Sequence, residues 1–248
     1  MKPVKPIIIL LLIFGGCLSE SPKKVSLFLI GDSTMAEKKA VRYPETGWGE
    51  MLQQFFNDQV QVKNHALNGR SSKSFIDEGR WQLVLDSLKP GDYVFIQFGH
   101  NDQKYKDSTR FTNPTTIYRQ NLIRYVQETR DKGANPVLLT SIVRRNYNEY
   151  GVLMDTHGWY PVVTREVARD LHVPMIDLQL MTEEMVLSLG EKSSKDLYLW
   201  LDPGVQENYP EGVQDNTHLN RKGANRVAEM VKDEIVRQNL PLEAYLNK

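Results

Sequence analysis

The segment VSLFLIGDSTMAEK, residues 25–38, places a short apolar run directly before a small polar turn. Residues 25–31 are almost all apolar, which is typical of a strand covered on both faces of a sheet. In the turn that follows, Asp32 is expected to accept hydrogen bonds from backbone N–H groups and so to order the turn. Ser33 is then either an ordinary turn residue or an exposed nucleophile, and the choice depends on what the rest of the chain supplies.

Further apolar runs resemble the first one, and helical patterns separate them. The runs predict strands at residues 60–66, 92–99, 136–142 and 173–178. Apolar residues three and four apart predict helices over residues 47–58, 81–88, 117–133, 162–172 and 222–238. Alternating strands and helices favour βαβ units with a parallel sheet, that is, an α/β fold. No linker-like stretch interrupts residues 25–248, which are expected to form a single domain.

The overall composition is that of a globular protein without a strongly charged partner. The chain has 248 residues, of which 31 are basic and 31 acidic, and 40% are hydrophobic. A balanced charge gives no global field that favours nucleic acid or an anionic membrane, so no nucleic-acid partner is expected. The five histidines and the single cysteine show no spacing typical of a metal site, and we expect no metal and no cofactor.

Residues 1–17 have the pattern of an export signal, because two lysines precede the apolar stretch IIILLLIF and the small residues GG follow it. The apolar stretch is too short for a membrane-spanning helix of about 20 residues. The pattern resembles a bacterial lipoprotein signal, in which cleavage leaves a cysteine, here Cys17, that is then acylated; Phe14 replaces the usual leucine. The alternative is a plain signal peptide. Residues 18–24 form a polar linker, and we expect export to the periplasm or cell surface of a bacterium.

Polar residues follow the predicted strands at the edge where open parallel sheets bind ligands. Gly69 follows the second strand, and Asn101 follows the third. Asp215 and His218 lie together in a predicted loop before the last helix. Taken singly, each of these residues is also explained as part of a turn or a helix cap.

Together with Ser33, these residues meet the requirements of ester hydrolysis. A serine hydroxyl needs a base within hydrogen-bond reach, and His218 is a suitable base. The imidazole needs an acceptor for its other nitrogen, which Asp215 supplies. The backbone N–H groups of Ser33 and Gly69 and the amide of Asn101 are candidate donors to the oxyanion of a tetrahedral intermediate.

The blocks GDST, NGRSS, GHND and DNTH occur in this order over nearly the whole mature chain, and they resemble the four blocks of the GDSL/SGNH hydrolases. The resemblance implies a three-layer α/β/α sandwich, flavodoxin-like, around a five-stranded parallel sheet. It also implies a metal-free triad of Ser33, His218 and Asp215, with an oxyanion hole formed by Ser33, Gly69 and Asn101. The variant GDST, with GWGEML and DNTHLNRKGA, resembles the rhamnogalacturonan acetylesterase branch.

An acidic polysaccharide would require cations and aromatic faces near the cleft. The candidate substrate contacts are Arg70, His100, Lys104, Arg144, Arg145 and Trp200. Each cation has the alternative of being solvated surface. Activity on acidic and neutral acetylated substrates would separate the two alternatives.

Three functional hypotheses follow from these residues. The first is an esterase that removes O-acetyl groups from plant cell-wall polysaccharide, above all rhamnogalacturonan, and acts as a monomer. The second keeps the site but changes the substrate to acetylated xylan or mannan, or to a lipid ester, as in lysophospholipases and thioesterases. The third is a glycan-binding protein with a vestigial triad. Polar loops such as QKYKDSTRFTNP favour a sugar over a lipid substrate.

Overall fold

The computed structural model describes residues 24–247, and its central element is a five-stranded parallel sheet. The strands are β1 (Val25–Gly31), β2 (Val60–Asn64), β3 (Tyr93–Gln97), β4 (Asn135–Leu139) and β5 (Met175–Ile176). They lie in the order β2-β1-β3-β4-β5, and every neighbouring pair is parallel. The prediction of five strands in a parallel sheet is confirmed, although each strand after the first is shorter than its apolar run.

Helices cover both faces of this sheet. They are α1 (Ser72–Asp77), α2 (Arg80–Ser87), α3 (Arg119–Asp131), α4 (Trp159–Asp170), α5 (Leu178–Ser194) and α6 (Arg221–Arg237). Because successive strand residues point to opposite faces, Leu27 and Leu29 pack in the core on the side of α5 and α6. Phe28 and Ile30 pack in the core on the side of α1 to α4. The expected three-layer α/β/α sandwich is therefore confirmed.

The helix expected over residues 47–58 is wrong. Two short 3₁₀ turns stand there, Trp48–Met51 and Gln53–Phe55. The N–H groups of Trp48 and Gly49 donate to backbone carbonyls of the turn after β1, at 2.9 and 3.2 Å, instead of continuing a helix. Gly49 allows this approach, since a Cβ there would lie 2.5 Å from the Met35 carbonyl oxygen. The apolar stripe still packs inward, and the Trp48 side chain is fully buried.

A two-stranded antiparallel hairpin lies apart from the main sheet, formed by β6 (Tyr198–Leu201) and β7 (Val213–Leu219). We expected Asp215 and His218 in a loop, whereas both lie on β7. Two backbone hydrogen bonds tie β7 to the chain segments that follow β1 and β4. Arg145 N donates to Asn216 O at 2.8 Å, and Thr46 N donates to Leu219 O at 2.9 Å.

The predicted export signal at residues 1–17, with Cys17, lies outside the described residues, as does most of the linker at 18–24. Within residues 24–247, no helix combines the length and the hydropathy that a membrane crossing requires.

We expect Gly49→Ala to lower the free energy of unfolding by about 1–3 kcal/mol, because overpacking forces the backbone to shift. The added Cβ would lie 2.5 Å from Met35 O and 2.7 Å from Asn64 Nδ2. Urea denaturation followed by circular dichroism measures the change. Glu207→Ala, at an exposed loop position, serves as the control. Equal stability of the two variants would contradict the close packing of this segment.

Candidate active site

The turn at the end of β1 is held by Asp32, as the sequence predicted. Its Oδ1 accepts hydrogen bonds from the backbone N–H and from the hydroxyl of Thr34, both at 2.9 Å. Asp32 is fully buried, and this burial raises the pKa of its carboxyl group. The turn leaves Ser33 partly exposed, at the carboxyl edge of the sheet, where a nucleophile has to be accessible.

A chain of hydrogen bonds joins Ser33 to two residues of β7. The Ser33 Oγ lies 2.9 Å from His218 Nε2. On the other side of the ring, His218 Nδ1 lies 2.7 Å from Asp215 Oδ2. A carboxylate beside Nδ1 keeps the proton on that nitrogen, so Nε2 can accept the serine proton. The structure thus brings together the three residues of the predicted triad.

The carboxylate of Asp215 is held ionised. Its Oδ1 accepts the backbone N–H groups of Thr217 at 2.7 Å and His218 at 3.0 Å. Partial burial opposes ionisation, but the hydrogen bonds and the charge of His218 outweigh it and lower the pKa of Asp215 to about 2. Asp215 therefore carries a full negative charge at neutral pH and can stabilise a protonated imidazole.

Three hydrogen-bond donors lie at the ends of neighbouring strands. Within residues 24–247, the backbone N–H groups of Ser33 and Gly69 have no acceptor. Gly69 has a φ of +78°, in the region that favours glycine. The Asn101 amide donates one hydrogen to Arg70 O at 3.0 Å and keeps a second hydrogen for another acceptor. Since Leu67 N donates to Gly31 O at 3.0 Å, the Gly69 loop is tied to the strand that carries the serine. Such unpaired donors are what an oxyanion hole requires.

Lys38 is a residue of the site that the sequence reasoning missed. Its side chain is only 3% exposed. The ammonium group binds the carbonyl oxygen of Ser33, the Asn68 side-chain oxygen at 2.9 Å and the Glu45 carboxylate at 2.8 Å. It therefore links the nucleophile turn to the loop that contains Gly69. The only signal in the sequence was its place in the block GDSTMAEK.

Asp102 anchors the loop that follows β3. One carboxylate oxygen accepts the hydroxyl groups of Ser72 at 2.6 Å and Thr112 at 2.9 Å, and the Ser72 backbone N–H donates as well. Complete burial raises the pKa of Asp102 to about 6 against these hydrogen bonds. Asp102 therefore joins the start of α1 to the loop that carries Asn101.

His100 and Arg144, expected as substrate contacts, lie behind that loop. Arg144 donates to His100 O at 3.2 Å and to Thr156 Oγ1 at 3.1 Å. His100 Nδ1 lies 3.0 Å from His157 Nε2. Burial, with the charges of His157 and Arg144, puts the pKa of His100 well below its usual value, so the ring is neutral. His100 is buried and Arg144 is half-buried, and the bond between them supports the backbone next to Asn101.

Arg145 and Trp200, also expected as substrate contacts, converge on Asn216, the neighbour of Asp215. The Arg145 guanidinium donates to Asn216 Oδ1 at 2.7 Å and lies 5.2 Å from the Trp200 ring centre. The Trp200 indole N–H donates to the same oxygen at 2.9 Å. Arg145 is 2% exposed. Arg145 therefore holds β7 in place through Asn216.

The remaining two candidate cations differ from each other. Arg70 uses Nε and Nη2 on Glu78, each at 3.0 Å, and Nη1 on Asn68 O at 2.8 Å. Lys104 is exposed, and its ammonium group has no hydrogen-bond or ion-pair partner within residues 24–247. In the same part of the chain, His, Cys, Asp and Glu side chains form no group of three or more that is able to hold a metal ion.

Residues 29–226 match the model of the GDSL-like Lipase/Acylhydrolase family. The chain is 41% identical to the rhamnogalacturonan acetylesterase RhgT of Bacillus subtilis (strain 168), over 90% of this chain and 95% of that protein. It is 36% identical to the probable rhamnogalacturonan acetylesterase YesY of the same strain, over 90% of this chain and 97% of that protein. Among solved structures, the YxiM protein of Bacillus subtilis superposes with a TM-score of 0.73 at 25% identity, over 88% of this chain and 58% of that chain.

We expect the free energy of unfolding of Asp215→Asn to fall less steeply than that of the wild type as the pH is lowered below about 6. Unfolded aspartate has a pKa of about 3.9, against about 2 for folded Asp215. A lowered folded pKa stabilises the protein above the unfolded value, and this stabilisation is lost as the pH falls through the folded value. Urea midpoints between about pH 6 and pH 2 measure the slope. Asp131→Asn, at an exposed position of α3, is the control, and equal slopes for the wild type and Asp215→Asn would contradict the ion pair.

Proposed function

Because the chain belongs to the GDSL-like Lipase/Acylhydrolase family, we propose that it is a serine esterase that removes O-acetyl groups from rhamnogalacturonan. The observation that carries the proposal is the hydrogen-bonded series from Ser33 Oγ through His218 to Asp215, at 2.9 and 2.7 Å. The identity of 41% with a rhamnogalacturonan acetylesterase over most of both chains supports the substrate.

In the first half of the reaction, Ser33 Oγ attacks the acetyl carbonyl carbon while His218 Nε2 takes the hydroxyl proton. The carbonyl oxygen becomes an oxyanion, and the N–H groups of Ser33 and Gly69 and the amide of Asn101 donate to it. The intermediate collapses to an acetyl-enzyme. The C–O bond to the sugar breaks, and the sugar hydroxyl leaves with the proton that His218 returns.

In the second half, water attacks the acetyl-enzyme and gives a proton to His218. Acetate leaves, and His218 returns the proton to the Ser33 oxygen. In both halves Asp215 keeps the imidazole in one tautomer and stabilises its protonated form. Because the pKa of Asp215 is about 2, this support is present across the whole neutral range.

The surroundings of the site favour a polar substrate over a lipid ester. The open pocket beside Gly69 is lined by charged and hydroxyl-bearing side chains, among them Lys73, Glu78 and Asp107. An acyl chain would displace water from these charged groups and offer no hydrogen bond in its place, which is unfavourable. The complete triad geometry also argues for catalysis against a protein that only binds glycans.

We expect Ser33→Ala to abolish acetate release from acetylated rhamnogalacturonan down to a residual rate, and Asn101→Ala to lower kcat by about 10²–10³ because one oxyanion donor is lost. Acetate is measured with acetylated rhamnogalacturonan, xylan and mannan side by side. Ser188→Ala, an exposed serine of α5, is the matched control. Ordinary activity of Ser33→Ala would exclude the mechanism, and a preference for xylan or mannan would exclude the substrate.

We also propose that residues 1–17 export the chain and that Cys17 carries a lipid that retains the enzyme at the surface or in the periplasm of a bacterium. The proposal is supported by the lysines, the apolar stretch and the GGC sequence. The cysteine is the only one in the chain, so there is no second thiol to be acylated.

For this second proposal we expect the full chain, expressed in a bacterium with a labelled fatty acid, to carry the label and to sediment with membranes. Cys17→Ser is expected to lose the label and to appear in the soluble fraction. Ser19→Ala, in the linker, is the control. An unlabelled, soluble wild-type protein would show a plain signal peptide instead.

A further inference from the structure

An open pocket of about 790 Å³ begins at Gly69, beside the catalytic serine turn. Its walls come from the loop after β2, from α1 and from the loop after β3. The residues that matter here are Asn68, Gly69, Arg70, Lys73, Asp107 and Arg110. Because Gly69 also offers a free N–H at the reaction centre, this pocket adjoins the oxyanion hole.

Arg110 lines the pocket close to Gly69. A Cβ added at Gly69 would lie 3.7 Å from Arg110 Nη1, so this nitrogen is a neighbour of the oxyanion-hole residue. The Arg110 Nε donates to the Asp107 carboxylate. Within residues 24–247, neither Nη1 nor Nη2 has an acceptor. The planar fork of Arg110 is thus oriented by Asp107 and has both terminal nitrogens free for a ligand.

The other cations of the pocket already have partners. All three nitrogens of Arg70 are bound, by Glu78 and by the Asn68 carbonyl oxygen. Lys73 donates to Ser108 O at 2.7 Å. Arg110 therefore differs from the other two in that neither of its terminal nitrogens has an acceptor within residues 24–247.

Lys104 adds a second positive charge near Arg110. Its ammonium group has no partner within the described chain, residues 24–247. Partial burial and the positive charges of Arg110 and Arg144 lower the pKa of Lys104. An anion placed beside Arg110 and Lys104 would relieve this repulsion.

We propose that Arg110, assisted by Lys104, binds the carboxylate of a uronic acid residue in the polysaccharide substrate. A carboxylate matches the fork of Arg110 through two parallel hydrogen bonds. The inference rests on the proposed deacetylase function and names Arg110 as the residue that selects an acidic backbone. A neutral glycan, such as an acetylated xylan or mannan without uronic acid side groups, has no carboxylate for Arg110 to bind.

The test compares an acetylated rhamnogalacturonan oligosaccharide with the methyl ester of the same oligosaccharide, which differs only in the charge of the carboxyl groups. For the wild-type enzyme, kcat/KM is expected to be higher on the free acid, and the preference should shrink with added salt. In Arg110→Gln, the acid-to-ester ratio of kcat/KM is expected to fall by about tenfold to a hundredfold, the effect of losing a charge-assisted hydrogen bond. Lys104→Gln is expected to lower the same ratio less.

Arg226→Gln is the matched control, because Arg226 is an arginine of α6 that pairs with Glu229, on the exposed side of the helix. Calorimetric binding of the unacetylated rhamnogalacturonan oligosaccharide to Ser33→Ala and to the double variant Ser33→Ala, Arg110→Gln measures recognition without catalysis. Weaker binding of the double variant supports the proposal. An unchanged acid-to-ester ratio in Arg110→Gln, with wild-type activity intact, overturns the proposal and leaves the deacetylase function standing. A wild-type enzyme that releases acetate from no acidic glycan overturns both.

Discussion

The hydrogen bond between Ser33 and His218 depends on how β7 is fixed against the carboxyl edge of the main sheet. The two residues are 185 positions apart in the chain; Ser33 lies in the turn after β1 of the main sheet, whereas His218 lies on β7 of the hairpin. One anchor is the pair of bonds from Arg145 to Asn216, through its backbone N–H and its guanidinium group. The other is the backbone bond from Thr46 to the chain just beyond His218. These bonds, on both sides of His218 in the sequence, keep the imidazole within hydrogen-bond distance of the serine.

At the same edge of the sheet, cationic side chains join separate loops through hydrogen bonds. Arg144 and Arg145 follow β4 and bind carbonyl and side-chain oxygens of loops that are distant in sequence, among them His100 O and Asn216 Oδ1. Lys38 does the same between the Ser33 turn and the Gly69 loop. A guanidinium or ammonium group can satisfy several loop acceptors at once, so one side chain fixes several segments. Loops held in this way keep the reacting groups preorganised, which electrostatic stabilisation of a transition state requires.

The sequence predicted those parts of the structure that depend on local patterns. Apolar runs revealed the five strands, and the four motif blocks indicated the residues that meet at the sheet edge. The sequence did not predict the β6–β7 hairpin, because β7, VQDNTHL, lacks the apolar pattern of a strand. The helix predicted over residues 47–58 was wrong. The apolar spacing around Trp48 is helical, but hydrogen bonds to the turn after β1 determine the backbone conformation there. Which arginine faces the cleft could not be read from the chain, because exposure depends on long-range partners such as Asn216 and Thr156.

The triad and Arg110 contribute to different quantities in the reaction. The oxyanion donors act on charge that develops only in the transition state, so they raise kcat. A uronate carboxylate carries the same charge in substrate and transition state, so a bond from Arg110 stabilises both equally and lowers KM. The Asp107 carboxylate already shares the charge of Arg110, which keeps such a bond moderate in strength. A moderate contact suits a polymer with many carboxylates, since a chain bound too firmly at one unit would delay transfer of the next acetylated sugar to Ser33.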